Sequence, residues 1–302
     1  MSVRVVLDAI GRDHAPGIPV EGAVWALHEI PELDLILVGQ GGTDPHQTGP
    51  PFHARPFAFY RRCPQVVEMH EHIITVKTKR DSSTAVGMRM VRSREAEAFV
   101  SMGNTGAVMT AALFHLSYIP WIAHTALATV YPTAQRPCLL LDIGANTDPK
   151  PLHLLQFAMM GVAYAERILG RPNPRVGLLL NGEEPSKGSL LVQEAHRPLQ
   201  ESGLNFIENV EARDPSRGLA EVVVTDGFTG NVVIKHLEGT VSFLARFLMG
   251  QRTDGKLDRL RLALALPGLL LAAPGLLFLI HSLRRIFQHL DCREYGGAPL
   301  LG

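Results

Sequence analysis

Short apolar runs recur along the chain, each followed by a polar loop that carries glycine and then by a stretch with helical spacing. Residues 3–7 (Val-Arg-Val-Val-Leu) empty into Asp8-Ala9-Ile10-Gly11-Arg12-Asp13-His14, and residues 35–38 end at Gly39. Ala98-Phe99-Val100 leads into Ser101-Met102-Gly103-Asn104-Thr105-Gly106 and an alanine-rich stretch. Leu139-Leu140-Leu141 leads into Asp142-Ile143-Gly144-Ala145-Asn146, and residues 222–225 into Asp226-Gly227-Phe228-Thr229-Gly230-Asn231. Residues 176–180 run into Asn181-Gly182-Glu183-Glu184-Pro185-Ser186-Lys187-Gly188. Runs this continuous, alternating with helices, predict an α/β fold with a mostly parallel sheet covered on both faces. Residues 16–27 fit a helix, and residues 43–56, rich in Pro, Gly and His without periodicity, fit an exposed loop.

Ligands of such sheets bind beyond the carboxyl ends of the strands, where these Asp-, Asn- and Gly-bearing loops converge. The Gly103-Asn104-Thr105-Gly106 turn brings backbone N–H groups and a helix N-terminus together, a ready site for an anion, with Asn104 and Thr105 adding side-chain donors. One such turn also reads as a plain strand-to-helix connection; its repetition along the chain favours one site. Lys77-Thr78-Lys79-Arg80 precedes Asp81-Ser82-Ser83, a cluster suited to cap a helix carrying Met88, Met90 and Val91. The basic residues Lys77, Lys79, Arg80, Arg89 and Arg92 read as a solvated face or as a docking patch for an acidic partner.

Composition narrows the class. The chain has 302 residues, room for one large α/β domain or two modest ones, and 1–302 is taken as a single catalytic domain. Lys+Arg and Asp+Glu both number 29, so no net charge points to nucleic acid. Cys63, Cys138 and Cys292 are scattered, without zinc spacing or a disulfide pattern. No secretory signal opens the chain. The dinucleotide and P-loop glycine motifs and the serine-hydrolase elbow are all missing, so neither a cofactor nor a metal is expected. What is left is a site for a small anion and an acyl or carbonyl group, without an evident protein nucleophile.

Residues 262–280 carry no charge over 19 positions, but Pro-Gly pairs at 267–268 and 274–275 break any straight span. With Arg259, Arg261, Arg284 and Arg285 on either side, the stretch fits a bent helical hairpin within 240–292. That hairpin packs on a second subunit with its tip on anionic lipid; a dry dimer interface and a true span are the alternatives.

Taken together, the loops resemble those of the bacterial phosphate acyltransferases of phospholipid synthesis, the PlsX family. The matching residues are Asp8-Ala9, Gly11, Asp13-His14, Arg80-Asp81-Ser82-Ser83, Ser101, Gly103-Asn104-Thr105-Gly106-Ala107, Leu141-Asp142 and Gly144-Ala145-Asn146. They continue through Lys150-Pro151, Gly182-Glu183-Glu184-Pro185-Ser186-Lys187-Gly188, Asn205-Phe206-Ile207, Asn209-Val210-Glu211, Asp226-Gly227-Phe228 and Gly230-Asn231-Val232. The run closes on Glu294-Tyr295-Gly296-Gly297-Ala298-Pro299-Leu300-Leu301-Gly302, so the resemblance covers nearly the whole chain in order. Arg12 stands where the family usually has glycine, the region 41–72 is short, and family members continue past the equivalent of Gly302.

The resemblance implies a three-layer α/β/α fold like that of isopropylmalate dehydrogenase and phosphotransacetylase, in a homodimer. It implies transfer of a fatty acyl group from acyl-acyl carrier protein to inorganic phosphate, in a cytoplasmic protein peripherally associated with membranes. For that reaction the Gly103, Asn104, Thr105, Gly106 turn is assigned the phosphate, assisted by Lys187, with Gly230 among the substrate-binding residues. Asn231 and Asn146 hold the thioester oxyanion, and Asp8, His14 and Asp226 orient phosphate or protonate the leaving thiol. Asp8 and Asp226 also read as turn or cap residues, and Lys187 as a solvated lysine. Two other classes stay open: an interaction protein derived from this family, and a dehydrogenase of similar fold, which would need the missing dinucleotide motif.

Overall fold

The computed structural model describes residues 2–10, 15–40, 59–72, 74–119, 121–131, 133, 137–182, 184 and 187–250. His14, Arg12, the loop 43–56 and the apolar stretch 262–280 lie outside the described residues, as does most of the expected hairpin 240–292. The sequence reading takes 1–302 as one domain; the described residues fall into two compact units that meet in the chain at Ser117–Tyr118.

In the first unit, β1 (Val3–Asp8), β2 (Leu33–Gly39), β3 (Phe59–Arg62) and β4 (Ala98–Val100) form a parallel sheet in the order β3-β2-β1-β4. The period-2 alternation of a strand sorts its side chains between two cores. Val5, Leu7, Leu35, Leu37 and Ala98 pack with Ala23 of helix α1 (Gly17–Glu29) on one face. Val6, Ile36, Val38 and Phe99 pack on the other against helices α2 (Ser83–Arg92) and α3 (Thr105–Leu116). Gly87 lets α2 lie against Phe99, whose Cε2 is 2.2 Å from where a Cβ would stand.

The second unit holds β5 (Ala128–Tyr131), β6 (Cys138–Leu141), β7 (Val176–Leu180), β8 (Phe206–Glu211) and β9 (Val222–Val224) in the order β5-β6-β9-β7-β8. Only the edge strand β5 runs antiparallel among the described pairings of this sheet. Helix α4 (Pro151–Arg167) covers one face, with Gly161 set on Val222 and Leu141, and packs beside α5 (Leu190–Gln200). Helix α6 (Gly227–Gly250) brings Ile234 and Leu237 to a core with Cys138, Leu140, Leu179 and Val223. Its far end exposes Phe243, Leu244 and Phe247, the two phenylalanine rings stacked at 6.0 Å.

The alternating strands and helices of the sequence are all present, but they assemble into two sheets where the sequence reading expects one. The loops expected on one sheet edge divide between two sheets, those after β1 and β4 on the first and those after β6, β7 and β9 on the second.

At the amino edge of the second sheet, Arg175 clamps the start of β9 to that of β7. Its Nη2 donates to Glu221 Oε1 at 2.8 Å, and its Nε and backbone N–H to Glu221 Oε2 at 3.1 and 2.8 Å. Burial pushes the Glu221 carboxyl up, but the hydrogen bonds and charge of Arg175 outweigh it and hold the group below its ordinary range. A carboxyl depressed by folding adds stability above the unfolded value, near pH 4.3, and loses it as pH falls through the folded value. Glu221→Gln is expected to cost about 2 kcal/mol at neutral pH and to flatten this acid dependence in urea unfolding. Equal acid sensitivity in variant and wild type would discount the clamp.

Candidate functional site

Strand order in the first sheet reverses between β1 and β4, the position where open α/β sheets take ligands. There the buried Asp8 carboxyl accepts from Ser101 Oγ at 2.9 Å and from the Ile10 N–H at 3.1 Å. Ser101 Oγ in turn accepts from the Gly103 N–H at 3.0 Å, so Asp8 ties the loop after β1 to the turn before α3. Asn104 caps α3: its Oδ1 accepts from the Ala107 N–H at 3.0 Å. Its Nδ2 donates to the Met69 and Glu71 carbonyls at 3.1 and 3.3 Å.

With Asn104 engaged at both ends, the donors left at this turn are backbone ones and the exposed Thr105 hydroxyl. The Thr105 and Gly106 N–H groups have no acceptor among the described residues, and the α3 dipole adds its positive end there. At the turn that the sequence reading assigns to an anion, the Asn104 side chain is therefore spent on the helix cap and on the Met69 and Glu71 carbonyls.

The basic residues nearby are partly committed. Lys79 Nζ donates to Glu71 Oε2 and the Val66 carbonyl, each at 2.7 Å, holding the loop that Asn104 leans on. Arg89 donates to the Arg80 carbonyl and to Asp81, and Lys77 Nζ sits 4.6 Å from the centre of the Phe114 ring. Arg80 and Arg92 are exposed.

In the second unit the loop after β6 is wound around Asp142, which is fully buried. Its Oδ1 accepts from the N–H groups of Leu127, Gly144 and Ala145 at 3.0, 3.1 and 2.9 Å. Its Oδ2 accepts from the Asn146 N–H and Nδ2, both at 2.7 Å. The first turn of α6 rests on this loop, backbone to backbone: Gly227 N–H donates to the Asn146 carbonyl at 2.7 Å. A Cβ on Gly230 would stand 1.9 Å from the Asp142 carbonyl oxygen, so Gly230 serves this approach. Asp226 caps α6, accepting from Thr229 N–H and Oγ1 at 2.8 and 2.7 Å.

The two asparagines part ways. Asn146 Nδ2 also donates to the Thr125 carbonyl at 2.7 Å, so both its amide hydrogens are engaged and none is left for an oxyanion. The exposed Asn231 amide lies against Gly144 and has no hydrogen-bond partner among the described residues. Lys187, half-exposed, pairs with Glu184 at 3.2 Å. The Glu184 carboxyl is held low by its own backbone N–H and then by Lys187.

Two histidines were missed in the sequence, where nothing marks them as partners. His124 Nδ1 lies 3.2 Å from Asn146 Oδ1, and its ring centre 4.1 Å from that of His153. His153 is buried, with Nδ1 accepting from the Lys150 N–H at 3.1 Å. Burial, then the charges of His124 and Lys150, hold His153 below its ordinary value. Gln156 steadies the strand-side loop by accepting from the Ala123 N–H and donating to the Trp121 carbonyl, both at 2.9 Å.

Both described cysteines are buried and held toward the neutral thiol. Burial, then the nearby Asp8 charge, push Cys63 up to about 11, and burial with Glu221 pushes Cys138 up to about 12. The turn before α3 offers backbone donors suited to an anion, and in the second unit the Asn231 amide offers one suited to a carbonyl oxygen.

The family model described as fatty acid synthesis protein matches residues 3–302. The chain is 44% identical over 302 residues to the phosphate acyltransferase of Heliobacterium modesticaldum, covering 99% of this chain and 86% of the relative. It is 44% identical over 306 residues to that of Myxococcus xanthus, covering 99% and 82%. Among solved structures it is similar in fold to EutD phosphotransacetylase from Staphylococcus aureus, with a TM-score of 0.54 and 15% identity over 79% of this chain and 83% of that one. A branched-chain phosphotransacylase from Enterococcus faecalis aligns with a TM-score of 0.50 at 16% identity, over 78% and 84%. The fold is therefore α/β of the phosphotransacetylase kind.

Proposed function

The chain belongs to the fatty acid synthesis protein family, and from that membership we propose that it is a phosphate acyltransferase, moving a fatty acyl group from acyl-acyl carrier protein to inorganic phosphate for phospholipid synthesis. The observation that carries this reading is kinship with phosphate acyltransferases over nearly the whole chain. A thioester is already activated and phosphate is already a nucleophile, so an oxygen of phosphate attacks the carbonyl carbon directly. The buried, protonated cysteines suit a reaction without a covalent enzyme intermediate. What the protein supplies is position and charge stabilisation, which together lower the barrier most in such transfers. In the first unit the Thr105 and Gly106 N–H groups are the donors offered to phosphate; in the second, the Asn231 amide is the donor offered to an oxyanion and Lys187 the source of positive charge.

The test is thiol release from acyl-acyl carrier protein, expected only when phosphate is present; release that ignores phosphate, or none, would reject the activity. Thr105 is the first residue of α3, a position that tolerates proline. Thr105→Pro therefore deletes the backbone N–H, and the side-chain hydroxyl with it, with the helix intact. The KM for phosphate is expected to rise roughly tenfold or more, and an unchanged KM would remove the anion from this turn.

The proposal extends to a homodimer and to peripheral membrane contact. No helix among the described residues is long and apolar enough to cross a membrane. The exposed Phe243, Leu244 and Phe247 on α6 support an apolar contact there. Residues 262–280 are the other candidate, and sedimentation with anionic vesicles measures it.

A further inference from the structure

The first unit carries a compact set of cations that its own carboxylates leave largely unpaired. Lys77, on the single helical turn Thr75–Thr78, lies over the Phe114 ring at 4.6 Å, and Phe114 stands exposed on α3. His115, the next residue, is held below its ordinary value by burial and then by the charges of Arg89 and Arg92. Arg89 in turn reaches the Arg80 carbonyl and Asp81, so these groups join into one surface around Phe114. The carboxylates nearby are spent: Glu71 on Lys79 at 2.7 Å, Asp81 on Arg89 at 3.5 Å and Glu95 on Arg61 at 3.1 Å. Lys77, Arg80 and Arg92 are exposed and have no carboxylate partner among the described residues. An exposed aromatic ringed by arginines has the composition of a protein interface, where such anchors carry most of the binding energy.

This surface adjoins the turn before α3 within the same unit. Glu71, whose carboxylate holds Lys79, accepts from Asn104 Nδ2 through its carbonyl at 3.3 Å. Thr105 and Phe114 lie toward opposite ends of α3, roughly 14 Å apart at about 1.5 Å of rise per residue. Resting on the acyl transfer proposed above, we propose that Lys77, Arg80, Arg89 and Arg92, with Phe114 among them, form the docking surface for acyl carrier protein. The carrier protein meets them with an acidic face and sets an apolar side chain on Phe114. A thioester on a tether longer than that spacing then reaches the turn while its protein stays on α3. Attraction between the cations and the acidic face speeds encounter and fixes the partner's orientation, and salt screens it. An anionic membrane would match the charge but brings no thioester, and laid on this face it would crowd the turn that phosphate enters.

The test is titration of fluorescently labelled acyl carrier protein with the whole chain at low and at high salt. Wild-type binding is expected to weaken as salt rises. The triple variant Lys77→Glu, Arg80→Glu, Arg92→Glu is expected to raise Kd roughly tenfold or more while keeping the wild-type melting curve. Arg89 is left in place because it ties the loop before α2. Lys77→Gln with Arg92→Gln, which puts no negative charge at the end of α2, is expected to weaken binding by a smaller factor. Phosphate-dependent thiol release from a small uncharged acyl thioester is expected to be equal in variants and wild type. An unchanged Kd overturns the surface, and so does an equal loss of turnover for the small and the carrier-borne thioester. A variant that keeps its carrier affinity but no longer sediments with anionic vesicles gives the patch to a membrane and overturns the proposal too. Wild type that binds carrier protein yet releases no thiol with phosphate rejects the acyl-transfer reading and leaves the surface standing. Wild type that releases thiol without salt-sensitive binding rejects the surface alone.

Discussion

Gly230→Ala is expected to destabilise the second unit by about 3 kcal/mol or more, although helix propensity alone favours alanine there by about 1 kcal/mol. The added methyl would stand 1.9 Å from the Asp142 carbonyl oxygen and 2.9 Å from its carbon, and 3.1 Å from Thr225 Cγ2. Two of these atoms are backbone and have no rotamer to escape into. Relief requires α6 to lift off the loop, which breaks the Gly227–Asn146 hydrogen bond. Gly239, on the same helix, meets nothing within 4 Å of its virtual Cβ, so Gly239→Ala is the control. It is expected to be neutral or to stabilise by up to about 1 kcal/mol. The urea midpoint of Gly230→Ala should fall while that of Gly239→Ala holds or rises, and an unmoved Gly230→Ala midpoint would mean that the helix and the loop are not in contact as described.

The second large effect is expected at Asp142. Removing its carboxyl leaves the N–H groups of Leu127, Gly144, Ala145 and Asn146 without their acceptor at a fully buried point. Each buried donor so orphaned costs about 1–3 kcal/mol, less where the loop can open to water. Asp142→Ala is accordingly expected to lose roughly 3–5 kcal/mol. Asp142→Asn keeps the shape but offers one oxygen where two accept, and should fall between alanine and wild type. Thermal unfolding of the three proteins orders them, and an alanine variant within about 0.5 kcal/mol of wild type would deny Asp142 its role.

Much of this was legible in the residues. The strands at 3–8 and 138–141, the Ser82 cap and the Asn104 turn were all readable, because each rests on local spacing or on one cap bond. The division into two sheets was not, since a parallel strand carries no mark of the neighbour it pairs with. Strand β5 escaped because it is four residues long, with Val130 exposed at a sheet edge. Among site residues, Asn146 read as a donor for substrate because its engagement depends on Thr125, 21 positions earlier. His124 stood out in no motif, for its meaning comes from Asn146, 22 positions later. Asp226 takes the capping place that turn chemistry alone offers, and Asp8 accepts from Ser101 and Ile10 across two loops.

The contact of α6 with the Asp142 loop has a mechanical consequence. At about 1.5 Å of rise per residue, Gly250 lies roughly 30 Å along the helix from Gly230. Where two backbones touch with no side chain between them, there is no soft layer to absorb a displacement. The helix is then a lever whose short arm is the loop that carries Asn146. A few degrees of tilt imposed near Phe243 and Phe247 arrive at that loop as torque rather than being dissipated on the way.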